Sequence, residues 1–281
     1  MINLETGAQN TWCPGCGNFL ILTALKNVVK ELVESGEVEY ENIVISSGIG
    51  CHGKIVDYIK VNSFYSIHGR VPPTISGIKL ANPKLKVIGF AGDGDAYAEG
   101  ISHLIHAAKR NSDITMVVHD NQVFALTTGQ FTPTTPKGAK TRTTPHGNPE
   151  EPLNPIALML VSGATFVARG FAGDLKHLQE LLKEAIKHKG FAFIDVLQPC
   201  VTFNDTFKFY RERVYKLEET GHDPTSFEKA LEKAWEWGER IPIGVFYKVE
   251  KPTFEEVILK GKIPVNEKRV ETIKEVLMKY V

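Results

Sequence analysis

The stretch KLKVIGFAGDGDAYAEG, residues 84–100, joins an apolar run to a turn of glycine and aspartate. The run is continuous in apolar residues and stops at Gly-Asp-Gly, which is typical of a strand buried on both faces of a sheet. Residues 97–110 then predict a helix, and DITMVVHDNQ, residues 113–122, predicts a second buried strand. A strand, a helix and another strand in succession indicate an α/β fold with parallel strands.

The same alternation continues on both sides of this stretch. Further helices are predicted at residues 19–33, 72–82, 156–161 and 175–188, and further strands at 41–50, 63–69, 165–168 and 191–200. The pattern predicts a mostly parallel sheet with helices on both faces, which binds ligands at the carboxyl ends of its strands.

The composition changes after about Asp205, where the chain becomes charged and aromatic. We expect residues 1–205 to form the α/β domain and residues 206–281 to form a C-terminal helical arm for subunit packing. The arm is predicted to contain a helix with Trp235 and Trp237 and a final helix at residues 268–280.

Charge and hydropathy exclude several classes of partner. The 281 residues include 33 basic and 33 acidic side chains, so no overall field attracts nucleic acid or an anionic membrane. No run approaches the roughly 20 apolar residues of a membrane span. The first residues, MINLETGAQN, lack the pattern of a signal peptide, so a cytoplasmic location is predicted. In that reducing compartment, cysteines are more often metal ligands or redox groups than disulfides.

The four cysteines are placed where one site can collect them. Cys13 and Cys16 lie in WCPGCG before the first predicted helix, while Cys51 and Cys200 each follow a predicted strand. A thioredoxin motif is disfavoured because no buried strand precedes WCPGC. Four thiolates suit either zinc or a 4Fe-4S cluster. The alternative is that Cys51 and Cys200 are only small buried apolar residues.

A second group of polar residues follows two neighbouring strands. Asp93 lies in the Gly-Asp-Gly turn, and Asn121 ends the next strand, so both are expected at the carboxyl edge of the sheet. A carboxylate, an amide oxygen and a nearby backbone carbonyl are hard donors that suit Mg²⁺. The glycines allow backbone N–H groups to approach a diphosphate, and the whole pattern resembles the signature of thiamine diphosphate enzymes.

Four ordered motifs together resemble the β subunit of 2-oxoacid:ferredoxin oxidoreductases over about residues 10–205. They are WCPGCG, GIGCHGK, GDGDAYAEG with HDNQVFALTTGQFTPTTP, and QPC. The resemblance implies a thiamine diphosphate-binding fold that carries thiamine diphosphate, Mg²⁺ and a 4Fe-4S cluster. The implied cluster ligands are Cys13, Cys16, Cys51 and Cys200, and the implied Mg²⁺ ligands are Asp93, Asn121 and the carbonyl of Val123. The positions implied near the diphosphate are Gly48, His68, Gly92, Gly94 and Asp95.

The resemblance also bears on the substrate. Lys54 corresponds to a lysine near the substrate, and Leu126 to a position that senses substrate size. Two positions depart from the pattern: Gln122 replaces the second asparagine of the commoner thiamine motif, and Thr128 stands where some relatives have lysine or glycine. The second departure leaves the preferred 2-oxoacid open.

The implied reaction is oxidative decarboxylation of a 2-oxoacid with coenzyme A to acyl-CoA and CO₂, with electrons passing through the cluster to ferredoxin. The implied partner is an α subunit that carries the pyrimidine-binding half of the cofactor site, in an αβ or (αβ)₂ assembly. Two alternatives remain: a cluster-free thiamine diphosphate-dependent decarboxylase or ligase subunit, and a non-catalytic zinc-binding subunit. The first leaves the cysteines without a role, and the second leaves Asp93 and Asn121 without one.

Overall fold

The computed structural model describes residues 2–267, 275 and 277–279. In these residues the strands are β1 (Ile43–Ser47), β2 (Asn62–Tyr65), β3 (Lys86–Gly92), β4 (Thr115–Asp120), β5 (Val123–Phe124), β6 (Gln130–Phe131), β7 (Phe166–Phe171), β8 (Ala192–Leu197), β9 (Val214–Lys216) and β10 (Ile241–Lys248). Eight of them form one sheet in the order β2-β1-β3-β4-β8-β7-β10-β9, and β5 pairs with β6 in a separate hairpin. Within the large sheet the β7–β10 pair is antiparallel and every other pair is parallel.

Helices cover both faces of the sheet. The α-helices in the described residues are α1 (Asn18–Glu34), α2 (Val71–Ala81), α3 (Ile101–Arg110), α4 (Pro155–Val161), α5 (Leu175–Lys187), α6 (Phe207–Arg211), α7 (Phe227–Ala234) and α8 (Phe254–Leu259). One apolar core lies under α1 and α5, and a second lies under α2, α3, α4 and α7. Successive strand residues alternate between these cores, as Val117 and Val118 of β4 do, because side chains along a strand point to opposite faces. The predicted α/β fold is thereby confirmed.

Helix α1 shows how the sequence specifies the first core. Its buried residues include Ile21, Leu25, Val28 and Leu32, which recur at the three- and four-residue spacing of one helix face. The helix ends at Glu34 because Gly36 takes the left-handed conformation, with φ of 74°.

The parallel strands β1, β3, β4 and β8 bring the segments that follow them to one edge of the sheet. Gly92 is opposite His119, and Asp120 is opposite Leu197, so Asp93, Asn121 and Gln198 emerge side by side. This edge is the one at which the sequence predicted a ligand site.

The helix predicted at residues 97–110 is divided in the structure. A wide π-helical turn, Gly94–Glu99, follows β3, and α3 begins only at Ile101. Such turns are frequent at functional sites because they reposition side chains relative to the helix that follows.

The C-terminal part of the chain differs from the predicted helical arm. Residues 241–248 form β10, which pairs with β7 and β9 inside the main sheet, because their apolar side chains are buried on both faces. Helix α7 ends at Ala234, so Trp235 and Trp237 lie beyond it. The final helix predicted at residues 268–280 falls largely outside the described residues.

In the described part of the chain, no helix is both long and apolar enough to cross a bilayer.

Candidate functional site

Four cysteines line one cavity of about 60 Å³ at the carboxyl edge of the sheet. Cys13 and Cys16 form a turn before α1, in which the Cys16 N–H donates to the Cys13 carbonyl oxygen at 3.0 Å. Cys51 follows β1, and Cys200 follows β8. The structure therefore brings together all four cysteines that the sequence pattern combined, each as a free thiol.

Burial makes two of these thiols, those of Cys16 and Cys51, difficult to ionise. It is the main reason why the pKa of Cys16 rises to about 11, and the nearby thiols of Cys200, Cys51 and Cys13 add to the rise. Burial also raises the pKa of Cys51, against the opposing effect of the Lys54 ammonium group. Thiolates gathered in this cavity would need a cationic ligand to balance their charge.

Hydrogen-bond donors surround the sulfur atoms. Gln198 Nε2 donates to Cys16 Sγ at 3.7 Å, and Thr202 Oγ1 donates to Cys13 Sγ at 3.3 Å. Asn18 lines the same cavity, and its buried Nδ2 has no acceptor within the part of the chain that the structure describes. Across the described residues, no three His, Cys, Asp or Glu side chains are already arranged to hold a metal ion. The donor set, soft sulfurs with N–H and O–H groups around them, nevertheless fits a sulfur-rich ligand.

A second cavity, of about 100 Å³, adjoins the first. The turn at residues 92–95 lines it, together with Asn121 and Val123 beyond β4. Cys51, Asn121 and Ala125 line both cavities. One of the four cysteines and one of the predicted Mg²⁺ ligands thus belong to a wall that the two cavities share.

Asp93 is a buried carboxyl group held by hydroxyl donors. Thr132 Oγ1 donates to Asp93 Oδ2 at 2.5 Å, and Thr134 Oγ1 lies 3.0 Å from the same oxygen and 2.8 Å from Asp120 Oδ1. Burial raises the pKa of Asp93 to about 7, although these hydroxyls and the Gly94 N–H act in the opposite direction. Burial likewise raises the pKa of Asp120, and the nearby carboxylates of Asp195 and Asp93 contribute. The surroundings therefore favour a cation beside Asp93.

Asn121 has a fixed orientation. Its Oδ1 accepts from the Val123 N–H at 3.1 Å, and its Nδ2 donates to Gln198 Oε1 at 3.1 Å. The amide oxygen therefore faces Val123, a residue that lines the second cavity, and a hard cation there could use its other lone pair.

Asp95 lies between two histidines. His68 Nδ1 is 2.8 Å from Asp95 Oδ1, which also accepts from the Gly69 N–H at 2.6 Å. His52 Nε2 is 3.3 Å from the other carboxyl oxygen. A Cβ atom at Gly92 would lie 2.8 Å from His52 Nδ1, so the glycine leaves the space that this histidine occupies.

Two further glycines are required by close contacts. A Cβ atom at Gly48 would lie 1.7 Å from Asp95 Oδ2, and one at Gly94 would lie 2.2 Å from Phe124 Cε1. Both distances are far below van der Waals contact. A larger residue at Gly48 would therefore displace the Asp95 side chain, and one at Gly94 would displace the Phe124 ring. The predicted glycines thus shape the second cavity by leaving room for side chains as well as for a ligand.

The two residues predicted near the substrate lie apart. Lys54 lines the cysteine cavity, and its Nζ donates to Thr11 Oγ1 at 2.9 Å. Leu126 lines the second cavity with 48% of its surface exposed, so it stands at the mouth.

The two departures from the family pattern are both left-handed backbone positions. Gln122 has φ of 62° and Thr128 has φ of 76°. Asparagine and glycine adopt this conformation at lower cost than most residues, which suits the asparagine of the commoner motif at the first position and the glycine of some relatives at the second. Gln122 and Thr128 therefore preserve the backbone path despite a less favourable residue type.

Three residues that contact the turn at residues 92–95 were not predicted from the sequence as site residues. His52 directly follows Cys51 in GIGCHGK, and this position was its only signal. Thr132 and Thr134 lie in a segment rich in threonine and proline, without periodicity that would show that they are buried. Their contacts with Asp93 span 39 and 41 residues, a separation that no local pattern reveals.

Comparison with known proteins gives consistent matches along the chain. Residues 48–196 match the family described as thiamine pyrophosphate enzyme, C-terminal TPP binding domain. Residues 200–262 match the family that describes the C-terminal part of the pyruvate ferredoxin oxidoreductase beta subunit. The chain is 48% identical over 255 residues to the 2-oxoacid:ferredoxin oxidoreductase subunit beta of Saccharolobus solfataricus, covering 86% of this chain and 82% of that protein.

Two other similar proteins extend these matches. The 2-oxoacid:ferredoxin oxidoreductase 1, subunit beta of Aeropyrum pernix is 47% identical over 90% of this chain and 82% of its own length. A solved structure of 2-oxoglutarate:ferredoxin oxidoreductase from Magnetococcus marinus, with 2-oxoglutarate, coenzyme A and succinyl-CoA bound, superposes with a TM-score of 0.90 at 34% identity. That match covers 98% of this chain and 94% of the other.

Proposed function

The chain belongs to the β subunits of 2-oxoacid:ferredoxin oxidoreductases, and from this premise we propose how its two cavities divide the work. The second cavity holds the diphosphate of thiamine diphosphate through Mg²⁺, and the cysteine cavity holds a 4Fe-4S cluster. The observation that carries the proposal is that Cys51, Asn121 and Ala125 line both cavities. A group that releases electrons and a group that accepts them would then be separated by one layer of side chains.

Asp93, Asn121 and the Val123 carbonyl are the proposed Mg²⁺ ligands. They supply hard oxygen donors at the edge of one cavity, and the burial of Asp93 disfavours its charge unless a cation is present. His68 and Asp95, with Gly48, Gly92 and Gly94, form the proposed surroundings of the diphosphate. A diphosphate accepts hydrogen bonds from backbone N–H groups, which the glycine-rich turn leaves accessible.

Cys13, Cys16, Cys51 and Cys200 are the proposed cluster ligands. Zinc would also bind four thiolates, but the oxidoreductase family and the N–H and O–H donors around the sulfurs favour a redox cluster. When bound, thiamine diphosphate accepts the electron pair that remains as CO₂ leaves, and a 4Fe-4S cluster accepts electrons singly. The protein's contribution is to hold both groups against the same wall and to keep their surroundings dry.

Lys54 and Leu126 are proposed to act on the substrate. Lys54 presents an ammonium group at the cysteine cavity, next to the wall shared with the cofactor cavity, where it would attract the carboxylate of a 2-oxoacid. Leu126, exposed at the mouth of the cofactor cavity, would contact the variable end of the substrate. Coenzyme A is the proposed acyl acceptor, and ferredoxin is the proposed electron acceptor.

An α subunit is the proposed partner, in an αβ or (αβ)₂ assembly in the cytoplasm. It would supply the pyrimidine-binding half of the cofactor site. Residues 206–281 are proposed to serve in subunit packing, and the exposed fractions of Trp235 (68%) and Trp237 (46%) support this. Phe246, a third large aromatic residue of this part of the chain, is fully buried in the chain's own core and cannot contribute.

The test is turnover by the anaerobically purified complex of this chain with its α subunit. We expect reduction of ferredoxin or methyl viologen that requires both a 2-oxoacid and coenzyme A, with pyruvate and 2-oxoglutarate assayed separately. Decarboxylation without electron transfer would favour the cluster-free decarboxylase. Zinc without iron or activity would favour the non-catalytic subunit. Full turnover by the chain alone would refute the need for an α subunit.

A further inference from the structure

We propose that Gln198 is a positioning residue that serves both cavities at once. It would hold Asn121 in the orientation needed for Mg²⁺ and donate a hydrogen bond to the sulfur of Cys16. This inference rests on the proposed function, because it assigns a cluster to the cysteines and Mg²⁺ to Asn121. It goes further by naming a residue that joins the two sites.

The geometry is a short hydrogen-bonded path. Asn121 Nδ2 donates to Gln198 Oε1 at 3.1 Å, and Gln198 Nε2 lies 3.7 Å from Cys16 Sγ. Gln198 Nε2 also donates to the Pro199 carbonyl oxygen at 2.6 Å. The side chain is 1% exposed, so water cannot replace these partners at low cost. One carboxamide thus connects a proposed Mg²⁺ ligand with a proposed cluster ligand.

The polarity of the two carboxamides fixes their orientation. If Gln198 were flipped, its NH₂ group would face the NH₂ group of Asn121, and its oxygen would face the sulfur of Cys16. If Asn121 were flipped instead, two oxygens would meet, and its NH₂ group would face the N–H of Val123. Both arrangements leave buried groups unpaired, which is costly. Gln198 therefore keeps the oxygen of Asn121, its metal-binding atom, on the cofactor side.

The backbone reinforces this position. Gln198 directly follows β8, and its N–H donates to the Asp120 carbonyl oxygen at 2.9 Å, one residue before Asn121. The side chain also needs space beside the cysteine turn. A Cβ atom at Gly17 would lie 3.1 Å from both Cγ and Nε2 of Gln198, so the last glycine of WCPGCG provides that space. The sequence motif alone gave no role to this glycine.

Two effects follow from the shared carboxamide. An N–H donor to a cluster thiolate stabilises the reduced, more negative state, so its loss should lower the reduction potential. A lost partner for Asn121 should weaken Mg²⁺-dependent binding of thiamine diphosphate, because the amide oxygen is no longer held in place. A residue with a purely structural role would not change both quantities in a correctly folded, iron-loaded complex.

The experiment compares Gln198→Leu with the wild type as the full complex with the α subunit. In redox titrations followed by electron paramagnetic resonance, we expect the reduced-to-oxidised ratio at a fixed ambient potential to fall about tenfold, which corresponds to about 59 mV for a one-electron couple. In calorimetry on cofactor-stripped complex, we expect about tenfold weaker binding of thiamine diphosphate with Mg²⁺. Iron content and circular dichroism check that each variant is loaded and folded.

Two further variants separate the effects. Thr202→Val removes the hydroxyl donor to Cys13 Sγ and leaves the hydrogen bonds of Asn121 to Gln198 and Val123 in place, so it should lower the potential and leave cofactor affinity unchanged. Gly17→Ala leaves Gln198 intact but crowds it, so it should shift both quantities in the same direction as Gln198→Leu and by less. It also keeps the inference testable if Gln198→Leu does not fold.

The possible results are distinct. An iron-loaded Gln198→Leu complex with wild-type potential and wild-type affinity would refute the role of Gln198 and leave the proposed function intact. A change in only one quantity would refute the joint role and confine Gln198 to one cavity. Zinc in place of iron in the wild-type complex would refute the proposed function, and with it the cluster half of this inference.

Discussion

Asp93→Asn separates the cost of burying the carboxylate from its use as a ligand. The substitution removes the negative charge with almost no change in size. In the presence of Mg²⁺, we expect it to abolish binding of thiamine diphosphate, because an anionic ligand is lost. In the absence of metal, we expect the variant to be more stable than the wild type at alkaline pH.

The magnitude follows from the pKa of Asp93, which burial raises from 3.8 to about 7. Between these values the unfolded chain has lost its proton while the folded chain keeps it, so the free energy of unfolding falls as pH rises. At about 1.4 kcal/mol per pKa unit, the accumulated cost to the wild type is about 2 kcal/mol at pH 5 and about 4 kcal/mol at pH 8. Asparagine avoids this cost, but the Asp93 carboxylate accepts from Thr132, Thr134 and Gly94, and an NH₂ group in place of one carboxyl oxygen loses part of this hydrogen bonding, at about 1–2 kcal/mol. The variant should therefore match the wild type near pH 5 and exceed it by about 2 kcal/mol at pH 8.

The assay is urea unfolding of the full chain in a chelating buffer at both pH values. Asp205→Asn is the control for loss of a negative charge, because its side chain is exposed, and it should give the same small change at both. A loss of stability by Asp93→Asn that is equal at pH 5 and pH 8 would overturn this prediction. So would wild-type affinity of the variant for thiamine diphosphate at limiting Mg²⁺.

Three other substitutions test separate parts of the site. Cys200→Ser should lower iron content and abolish viologen reduction while thiamine diphosphate still binds, and a variant that keeps its full iron content would contradict this. Gly48→Ala should weaken cofactor affinity more than tenfold, because its Cβ would lie 1.7 Å from Asp95 Oδ2; unchanged affinity would show that the turn can move. Lys54→Ala should raise KM for the 2-oxoacid in steady-state assays, and an unchanged KM would restrict Lys54 to the cysteine cavity.

The central strands and the positions of Asp93 and Asn121 could be predicted from the sequence. An apolar run that stops at Gly-Asp-Gly is a local signal, and parallel pairing places successive strand ends at one edge. Helix α1 could also be predicted from the sequence, because its apolar residues recur at helical spacing.

The features that could not be predicted from the sequence depend on contacts between residues that are distant in the chain. The β10 strand pairs antiparallel with β7, which lies about 75 residues earlier in the chain. The glycine and the proline within β10 interrupt the apolar run by which a buried strand is recognised. The burial of Thr132 and Thr134 results from their contacts with Asp93, since their own segment has the composition of an exposed loop. The hydrogen bond from Gln198 Nε2 to Cys16 Sγ joins residues that are 182 positions apart, and the sequence around neither residue predicts this contact.

The central proposal is that this chain holds a cluster and thiamine diphosphate in two cavities that share one wall. Its most direct test is to measure the iron and thiamine diphosphate content of the anaerobically purified complex with the α subunit. We expect about four iron atoms from this chain's cluster and one thiamine diphosphate per copy of the chain. Parallel analysis of a Cys13→Ser complex identifies the iron that belongs to clusters of partner subunits. Iron content that does not fall in that variant, or zinc in place of iron in the wild type, would contradict the proposal of two cofactor sites.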